Sequence, residues 1–439
     1  MTNIAADNVK KSIGLYMLAD GMDHVIDLEK SHGSWLVDYR DGKEYLDLFS
    51  MFASMSVGYN HPYVLDNKER LTIAALNKPT NSDVYSTQMA EFVSAMGRLA
   101  QPDYLPYAFY VEGGALAVEN ALKTAFDWKV RKNLAAGKND GGSTILHFKE
   151  CFHGRSGYTL SLTDSPDQRK TQYFPKFKWP RIDNPKLRFP ITDEVVAGVK
   201  QNEEKAIQQI EAALEQYPDD IAALIIEPIQ GEGGDNHFRE SFFSQLRKLA
   251  DKHDFLLIYD EVQTGVGITG KMWAHQHYGE DCRPDIICFG KKTQVCGIFA
   301  GHRLDEVTGH VFKESSRINS TWGGNLVDMV RFTIYLEIIE QENLLDQVAE
   351  NGAYLQQKLE SLQKEHPEIL SNVRNRGLFG AFDLRDTAER NKVIGLIADE
   401  GALMLGCGHT SIRFRPHLNI SQSEIDQGLN MINRALNRL

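Results

Sequence analysis

The segment ESFFSQLRKLADKHDFLLIYDEVQ, residues 240–263, decides the fold class. Its first half repeats apolar residues at helical spacing, because Phe242, Leu246 and Leu249 fall on one face of a helix. Its second half contains the uninterrupted apolar run FLLIY, which is typical of a strand buried on both faces of a sheet. A helix followed directly by such a strand predicts one unit of an α/β protein.

The same alternation extends on both sides of this segment. Further apolar runs predict strands, and helical patterns predict helices at 115–133 and from Glu203 onward. The predicted strands lie within residues 107–114, 143–148, 221–229 and 285–290. The pattern predicts an α/β fold in which helices cover both faces of a large, mostly parallel sheet.

The two ends of the chain have a different pattern. From residue 326 onward, long helices precede short strands, which predicts a smaller α+β domain. Residues 34–49, SWLVDYRDGKEYLDLF, predict a hairpin that could join it. We therefore expect an N-terminal segment at 1–60 that joins the small domain, a large domain at 61–325 and a C-terminal small domain at 326–439.

Composition excludes several classes of partner. The formal net charge is -12, without a dense Lys/Arg tract, so nucleic acid is not an expected partner. The start lacks the apolar segment of a secretory signal, and no apolar run approaches ~18 residues, so we expect a cytoplasmic protein without a membrane partner.

Cysteine and histidine patterns give no metal or disulfide signal. The five cysteines contain no CxxC pair, and their odd number favours reduced thiols. The HQH stretch at 275–277 could hold a metal, but no acidic or thiol ligand lies near it at metal spacing. We expect no metal.

Candidate chemistry lies where the predicted strands end, as ligands bind beyond the carboxyl ends of strands in open α/β sheets. Asp260 closes an apolar strand, and because an unpaired buried charge is costly it needs a cationic partner. Lys291 and Lys292 close another strand, so a structural ion pair is the simple alternative to a ligand. Gly113 and Gly114 leave amide groups uncovered where a helix begins, as in a phosphate site or a tight turn.

A lysine, an acid, a glycine-rich helix start and an aromatic residue before HGRSG together resemble the parts that hold pyridoxal 5'-phosphate. In such a site the lysine forms a Schiff base and the acid keeps the ring nitrogen protonated. A desolvated lysine loses its proton more easily, and only the free amine attacks an aldehyde. The sequence therefore favours this cofactor.

A different reading starts from GVGITG, residues 265–270, which satisfies the GxGxxG pattern of a nicotinamide-dependent oxidoreductase. The segment after it is too short for a helix and a second strand ending in a ribose-binding acid. A glycine-rich turn describes it better. A binding protein without catalysis is disfavoured, because both the lysine and the acid are present.

The chain contains six motifs: VEGGALAVENALK (111–123), FHGRSGYTLSLT (152–163), EPIQGEGGD (227–235), DEVQTGVGITG (260–270), FGKKTQVCG (289–297) and NSTWGGNL (319–326). Together they resemble the motifs of class III (ω-amino acid) pyridoxal-phosphate aminotransferases, and the resemblance covers nearly the whole chain. The resemblance implies the fold type I architecture and a homodimer with shared active sites. The wording of the motifs implies transfer of the ε-amino group of L-lysine to 2-oxoglutarate, with ornithine, 4-aminobutyrate or another ω-amine as the alternative donor.

The resemblance also implies roles toward the cofactor. Lys291 matches the Schiff-base lysine, with Lys292 the weaker candidate, and Asp260 matches the acid that binds the ring nitrogen. The remaining matches are Phe152 and Val262 on the two ring faces, Gln263 at the ring oxygen, Gly114 and Ala115 at the phosphate, and Thr321 reaching the phosphate from the partner subunit. Gly113–Leu116 replaces the Ser-Gly-Ser/Ala-Glu of most members, which removes hydroxyl support for the phosphate.

Roles toward substrate follow from the same resemblance. Arg155 matches the residue that binds the distal α-carboxylate of the donor, and Arg413 matches the one that binds the α-carboxylate of a 2-oxo acid. Glu232 would cover Arg413 while the ω-amine donor is bound. Solvated loop charges are the plainer reading of Arg155 and Glu232, and Arg415 could be confused with Arg413.

Overall fold

A computed structural model describes residues 4–439. Its strands are β1 (Trp35–Val37), β2 (Glu44–Asp47), β3 (Tyr107–Val111), β4 (Thr144–Phe148), β5 (Arg181–Ile182), β6 (Ile221–Ile226), β7 (Leu256–Asp260), β8 (Ile286–Phe289), β9 (Cys296–Ala300), β10 (Ser371–Arg376), β11 (Phe379–Asp383), β12 (Ala402–Leu403), β13 (Leu405–Cys407) and β14 (Ser411–Phe414).

The helices are α1 (Val9–Gly14), α2 (Ser50–Ala53), α3 (Pro62–Asp66), α4 (Lys68–Leu76), α5 (Thr87–Leu99), α6 (Gly114–Ala135), α7 (Gly157–Leu162), α8 (Asp193–Gln216), α9 (Glu240–His253), α10 (Leu326–Gln341), α11 (Leu344–Glu365), α12 (Thr387–Glu400) and α13 (Gln422–Leu436). Within residues 4–439, no helix is both long enough and apolar enough to cross a membrane.

The large sheet has seven strands in the order β3-β9-β8-β7-β6-β4-β5. Neighbouring strands from β5 to β8 pair in parallel, whereas β9 is antiparallel to both β8 and β3. The mostly parallel sheet predicted from the sequence is therefore confirmed. Helix α8 begins at Asp193, ten residues before the expected Glu203, because the Thr192 side chain caps it by accepting the Val195 amide at 3.2 Å.

Helices bury both faces of this sheet. Alternate strand residues, such as Ile258 and Ile286, pack in a cluster with Val118 and other residues of α6. Their neighbours in the strands, such as Leu257 and Tyr259, pack in the cluster that contains residues of α9. Because side chains alternate between the faces of a strand, the unbroken apolar runs supply both clusters.

Two smaller sheets contain the chain ends. Strands β10, β11, β14 and β13 form an antiparallel sheet. The β1–β2 hairpin pairs in parallel with β12, with Leu46 opposite Ala402. The N-terminal hairpin thus pairs with a strand of the C-terminal part of the chain. The domain boundaries at 60/61 and 325/326 stay a prediction.

The glycine-rich stretch after β7 forms turns. Gly267 and Gly270 have φ of 80° and 88°, and only the 3₁₀ turns Ala274–His277 and Glu280–Cys282 lie between β7 and β8 in the described chain. A side chain at Gly270 would meet Ala349 of α11 at 3.2 Å, so these glycines allow close packing. The helix that a dinucleotide-binding loop must open is replaced by turns, which removes the basis of the oxidoreductase reading.

Candidate active site

A cavity of about 490 Å³ lies at the carboxyl ends of the large-sheet strands. Its lining includes most of the residues singled out from the sequence: Gly114, Ala115, Phe152, Arg155, Glu232, Asp260, Val262, Gln263, Lys291 and Arg413. Phe52, His153, Gly154, Lys170 and Glu227 complete it. Strand β14 supplies Arg413, so the cavity lies between the large sheet and the four-stranded sheet.

The two adjacent lysines face different surroundings. Lys291 lines the cavity, and burial followed by repulsion from Arg413 lowers its pKa from 10.5 to about 8. Its φ of 53° is left-handed, a strained backbone conformation for a non-glycine residue at a functional site. This lysine is therefore the one available for chemistry.

Lys292 is fully buried and has a structural role. Its Nζ donates to the backbone carbonyls of Gln263 at 2.9 Å and Ala53 at 3.3 Å. Burial, and next the charge of Arg415, lower the pKa of Lys292 well below its usual value. The amine is thus occupied by two backbone groups on the edge of the cavity.

Lys292 supports an unusual turn. Residues 50–53 are all non-glycine and have φ between 38° and 61°, which makes α2 a single left-handed turn. Such residues cost roughly 1–2 kcal/mol each, so other contacts must hold the turn. Asp47 Oδ1 accepts the Ser50 amide at 2.7 Å, and Ser50 Oγ donates to the carbonyl of Arg415 at 2.6 Å. The turn presents Phe52 to the cavity.

Asp260 ends β7 and is 4% exposed. Its Oδ2 lies 2.7 Å from Nδ1 of His153, and its Oδ1 accepts the Val262 amide at 3.0 Å. An ionised carboxylate only accepts hydrogen bonds, so the histidine donates from Nδ1. These two contacts fix the carboxylate at the cavity wall.

Glu227 is a second buried acid near Asp260. Its carboxylate accepts the amides of Phe152 at 2.9 Å and Gly231 at 3.0 Å. Burial, and next the nearby charge of Asp260, raise the pKa of Glu227 well above its usual value. Glu227 thereby holds Phe152 in the cavity wall.

The N-terminus of α6 also lines the cavity. Gly114 and Ala115 begin this long helix, whose first amides have no partner within the helix. Two glycines at this point leave no room for a side chain. A Cβ at Gly154 would lie 2.6 Å from the Ala115 Cβ, and a Cβ at Gly114 would lie 3.0 Å from Val262 Cγ1. Uncovered amides at a helix N-terminus suit a phosphate.

Three arginines considered from the sequence occupy different positions. Arg155 is exposed and lines the cavity. Arg413 is buried and lines the cavity too, with one terminal nitrogen 3.4 Å from Gln263 Oε1. Arg415 lies deeper, where it pairs with both oxygens of Asp235. Arg413 therefore lines the cavity, whereas Arg415 does not belong to its lining.

Glu232 does not contact Arg413 in this structure. Its Oε1 accepts from Lys170 Nζ at 2.6 Å and from Ser165 Oγ at 2.9 Å. The backbone carbonyl of Glu232 accepts the Gly408 amide at 2.7 Å, which joins this loop to the segment between β13 and β14. A contact between Glu232 and Arg413 is expected while the ω-amine donor is bound, and it stays a prediction.

Thr321 lies outside the cavity of its own chain. It is exposed, and its carbonyl accepts from Ser82 Oγ at 3.2 Å. The role expected of it at the phosphate requires a second subunit and stays a prediction.

Sequence reasoning missed five residues of the cavity, one of which, Gly154, lies inside the quoted HGRSG stretch. His153 and Glu227 lie inside the quoted motifs, and an unpaired buried Asp260 was the signal that could have led to His153. Lys170 lies in an irregular loop, and Phe52 depends on a left-handed turn. Neither has a local sequence signal.

The cavity fits pyridoxal 5'-phosphate in its donor set: helix amides for a phosphate, a fixed acid for a ring nitrogen and a lysine of lowered pKa. The fold and this site define an enzyme that works with such a cofactor. The sequence matches the Aminotransferase class-III family over residues 17–436. The chain belongs to the class-III aminotransferases, which are pyridoxal-phosphate-dependent transaminases.

Similar proteins share most of their length with this chain. The L-lysine-epsilon aminotransferase of Mycobacterium tuberculosis is 49% identical over 434 residues, which are 98% of this chain and 95% of that protein. The enzyme of the same description from Streptomyces clavuligerus is 47% identical over 431 residues, with 97% and 93% covered. The solved structure of lysine aminotransferase from M. tuberculosis in the internal aldimine form superposes with a TM-score of 0.96 over 99% of both chains, at 49% identity.

Proposed function

We propose that this chain transfers the ε-amino group of L-lysine to 2-oxoglutarate, giving 2-aminoadipate 6-semialdehyde and L-glutamate in two half-reactions. The observation that carries the proposal is the cavity, which combines Lys291 and Asp260 with two arginines, Arg155 and Arg413. The names of the similar enzymes support lysine as the donor.

Pyridoxal 5'-phosphate, when bound, supplies an electron sink that makes loss of a proton from the substrate carbon feasible. Gly114 and Ala115 would hold its phosphate, Phe152 and Val262 its ring faces, and Gln263 its ring oxygen. Asp260, oriented by His153 and the Val262 amide, would hold the ring nitrogen in its protonated form.

Lys291 acts as both base and acid in each half-reaction. About half of its amine is free at pH 8, because burial and Arg413 lower its pKa to about 8. A base whose pKa lies near the working pH can both take and return a proton. Lys292 does not share this role, since its amine is held by two backbone carbonyls.

The two arginines bind the ends of the substrates. A guanidinium can donate two parallel hydrogen bonds to a carboxylate, which sets direction as well as affinity. Arg155, exposed at the cavity, would hold the α-carboxylate of lysine away from the reacting amine. Arg413, with Nε buried and unpartnered among residues 4–439, would take the α-carboxylate of the 2-oxo acid.

A donor panel tests the proposal. L-lysine, ornithine and 4-aminobutyrate are each offered with 2-oxoglutarate, and glutamate is measured. L-lysine should give the highest kcat/KM, although one methylene is worth only about 1–3 kcal/mol in a pocket. Faster turnover with ornithine or 4-aminobutyrate would overturn lysine as donor and leave the aminotransferase assignment intact.

The proposal includes a homodimer with shared sites. Thr321 and Trp322 pack against residues 81–82, next to the exposed side chains of Val84 and Tyr85, so this apolar surface could be covered by a partner subunit. Co-expression of Lys291→Ala with Thr321→Asp tests the arrangement. If Thr321 completes the partner's site, the mixed dimer should be active although each variant alone is not. Absence of activity in purified mixed dimers would contradict sharing.

The cytoplasmic location expected from the sequence is retained as part of the proposal. Fractionation of the source cells would test this location.

A further inference from the structure

The loop after α7 carries a lysine that binds Glu232. Lys170 Nζ and Ser165 Oγ both donate to Oε1 of Glu232, at 2.6 and 2.9 Å. Lys170 lines the cavity, and the side chains of Lys170 and Glu232 are 33% and 18% exposed. A charged pair at this partly enclosed position is less screened than one on the open surface.

The contact leaves two complementary polar atoms without partners. Oε2 of Glu232 is buried and accepts no hydrogen bond from any described residue. Nε of Arg413 is buried and has no acceptor in the same part of the chain. Buried polar groups normally find partners, so a free donor on one side and a free acceptor on the other indicate that both groups have a second arrangement.

Arg413 cannot hold two carboxylates in the same two-pronged contact. When the Arg413 guanidinium binds Glu232, the edge that makes this contact is no longer free for a substrate carboxylate. Two carboxylates at the same edge would also repel each other. The position of Glu232 therefore decides whether Arg413 is open to an acidic substrate. In this structure Lys170 and Ser165 hold Glu232, and the Arg413 side chain donates a hydrogen bond to Gln263 and to no other residue within 4–439.

We propose that Lys170 determines the acceptor specificity of the enzyme by holding Glu232 away from Arg413, which keeps Arg413 open for the α-carboxylate of the 2-oxo acid. Lys170 is thus a positioning residue that acts through Glu232. The inference rests on the proposed function, because it assigns the acceptor carboxylate to Arg413. It does not depend on which amine is the donor.

The test uses the holoenzyme and glutarate, an unreactive dicarboxylate, in calorimetric titration. Lys170→Met removes the charge while keeping much of the side chain's length. We expect it to weaken glutarate binding about 10-fold, equal to ~1.4 kcal/mol. The KM for 2-oxoglutarate should rise by a similar factor, while kcat changes less. Lys170→Arg, which retains the charge, should restore most of the affinity.

A neighbouring residue provides the matched control. Arg169 precedes Lys170, and its guanidinium binds Asp167 instead of Glu232. Arg169→Met therefore removes the same unit of charge from the same loop without freeing Glu232. A purely long-range effect of charge would weaken glutarate equally in both variants, and that result would overturn the proposal.

A double-mutant cycle separates action through Glu232 from direct contact with the ligand. In a Glu232→Gln background, Lys170→Met should change glutarate affinity less than about 2-fold, because no carboxylate remains to be held. The same 10-fold loss in that background would mean that Lys170 binds the ligand itself and would overturn the proposal. Failure of L-lysine as donor would appear in the donor panel and leave the glutarate titrations unaffected.

Discussion

The lowered pKa of Lys291 gives the sharpest prediction. Burial and Arg413 lower this pKa from 10.5 to about 8. At pH 7.5 an amine of pKa 8 is about 24% free, against about 0.1% for one of pKa 10.5, so Lys291 should expose roughly 200-fold more reactive amine than a surface lysine. The shift corresponds to ~3 kcal/mol of preference for the neutral form.

Competitive labelling measures the shift directly. The cofactor-free protein is treated with trace acetic anhydride from pH 6 to 11, and mass spectrometry reads the labelling of Lys291 against an exposed lysine such as Lys10. Half-maximal reactivity of Lys291 should fall near pH 8. The rate at which the cofactor-free protein takes up pyridoxal phosphate should rise over the same pH range as the labelling of Lys291.

Two arginine variants test whether Arg413 contributes to the lowered pKa of Lys291. Arg413→Met should raise the pKa of Lys291, since Arg413 is the largest cause of the shift after burial. Arg155→Met removes a guanidinium from the same cavity that is not among those causes, and serves as the control. A pKa of Lys291 near 10.5 in the wild type, or equal shifts in the two variants, would refute the reasoning.

The same shift has a consequence for stability. Between pH 8 and 10.5 the unfolded chain binds the Lys291 proton and the folded chain does not, so this group's contribution to the free energy of unfolding increases as pH rises through that window. Below pH 8 both states are protonated and the full cost of burying the charge remains.

The remaining predictions concern Asp260, the left-handed turn and α12. Asp260→Asn should lower kcat/KM about 100-fold or more, because it removes a fixed charge from the cavity wall, and a smaller loss with an unchanged melting temperature would contradict its role. Lys292→Met should speed hydrogen exchange in residues 49–56, since the Ala53 carbonyl loses its donor; unchanged exchange would show that Asp47 holds the turn without it. Gly401→Ala should destabilise the protein by roughly 1–2 kcal/mol in denaturant titrations, because Gly401 ends α12 with φ 102°. Gly395→Ala within the same helix should instead stabilise it by about 0.5–1 kcal/mol, because a side chain there would meet no neighbour and alanine favours a helix.

Much of the large sheet was predictable from local sequence. Runs such as FLLIY are apolar on both faces, and only a strand covered on both sides satisfies that pattern. Helix α9 occupies Glu240–His253, as its apolar spacing indicated. Helix α8 was predicted too short because its first turns, after the cap at Thr192, contain Gly198, a weak helix former that interrupts the local helical signal.

The candidate site was predictable where residues follow strand ends. Adjacent parallel strands end on the same edge, so Asp260 at the end of β7 and Lys291 after β8 lie at one edge of the sheet. The choice between Lys291 and Lys292 was beyond local reasoning, because it depends on which amine meets the carbonyls of Ala53 and Gln263.

The sequence alone determined the alternation of helices and strands and the edge of the sheet where Asp260 and the Lys291–Lys292 pair lie. These features depend on periodicity and chain order, which are local. Only the tertiary structure decided that Lys292 supports a turn, that His153 orients Asp260, and that Glu232 lies with Lys170 instead of Arg413. Each of these contacts joins residues distant in the chain, and their geometry exists only after the sheets and loops have packed together.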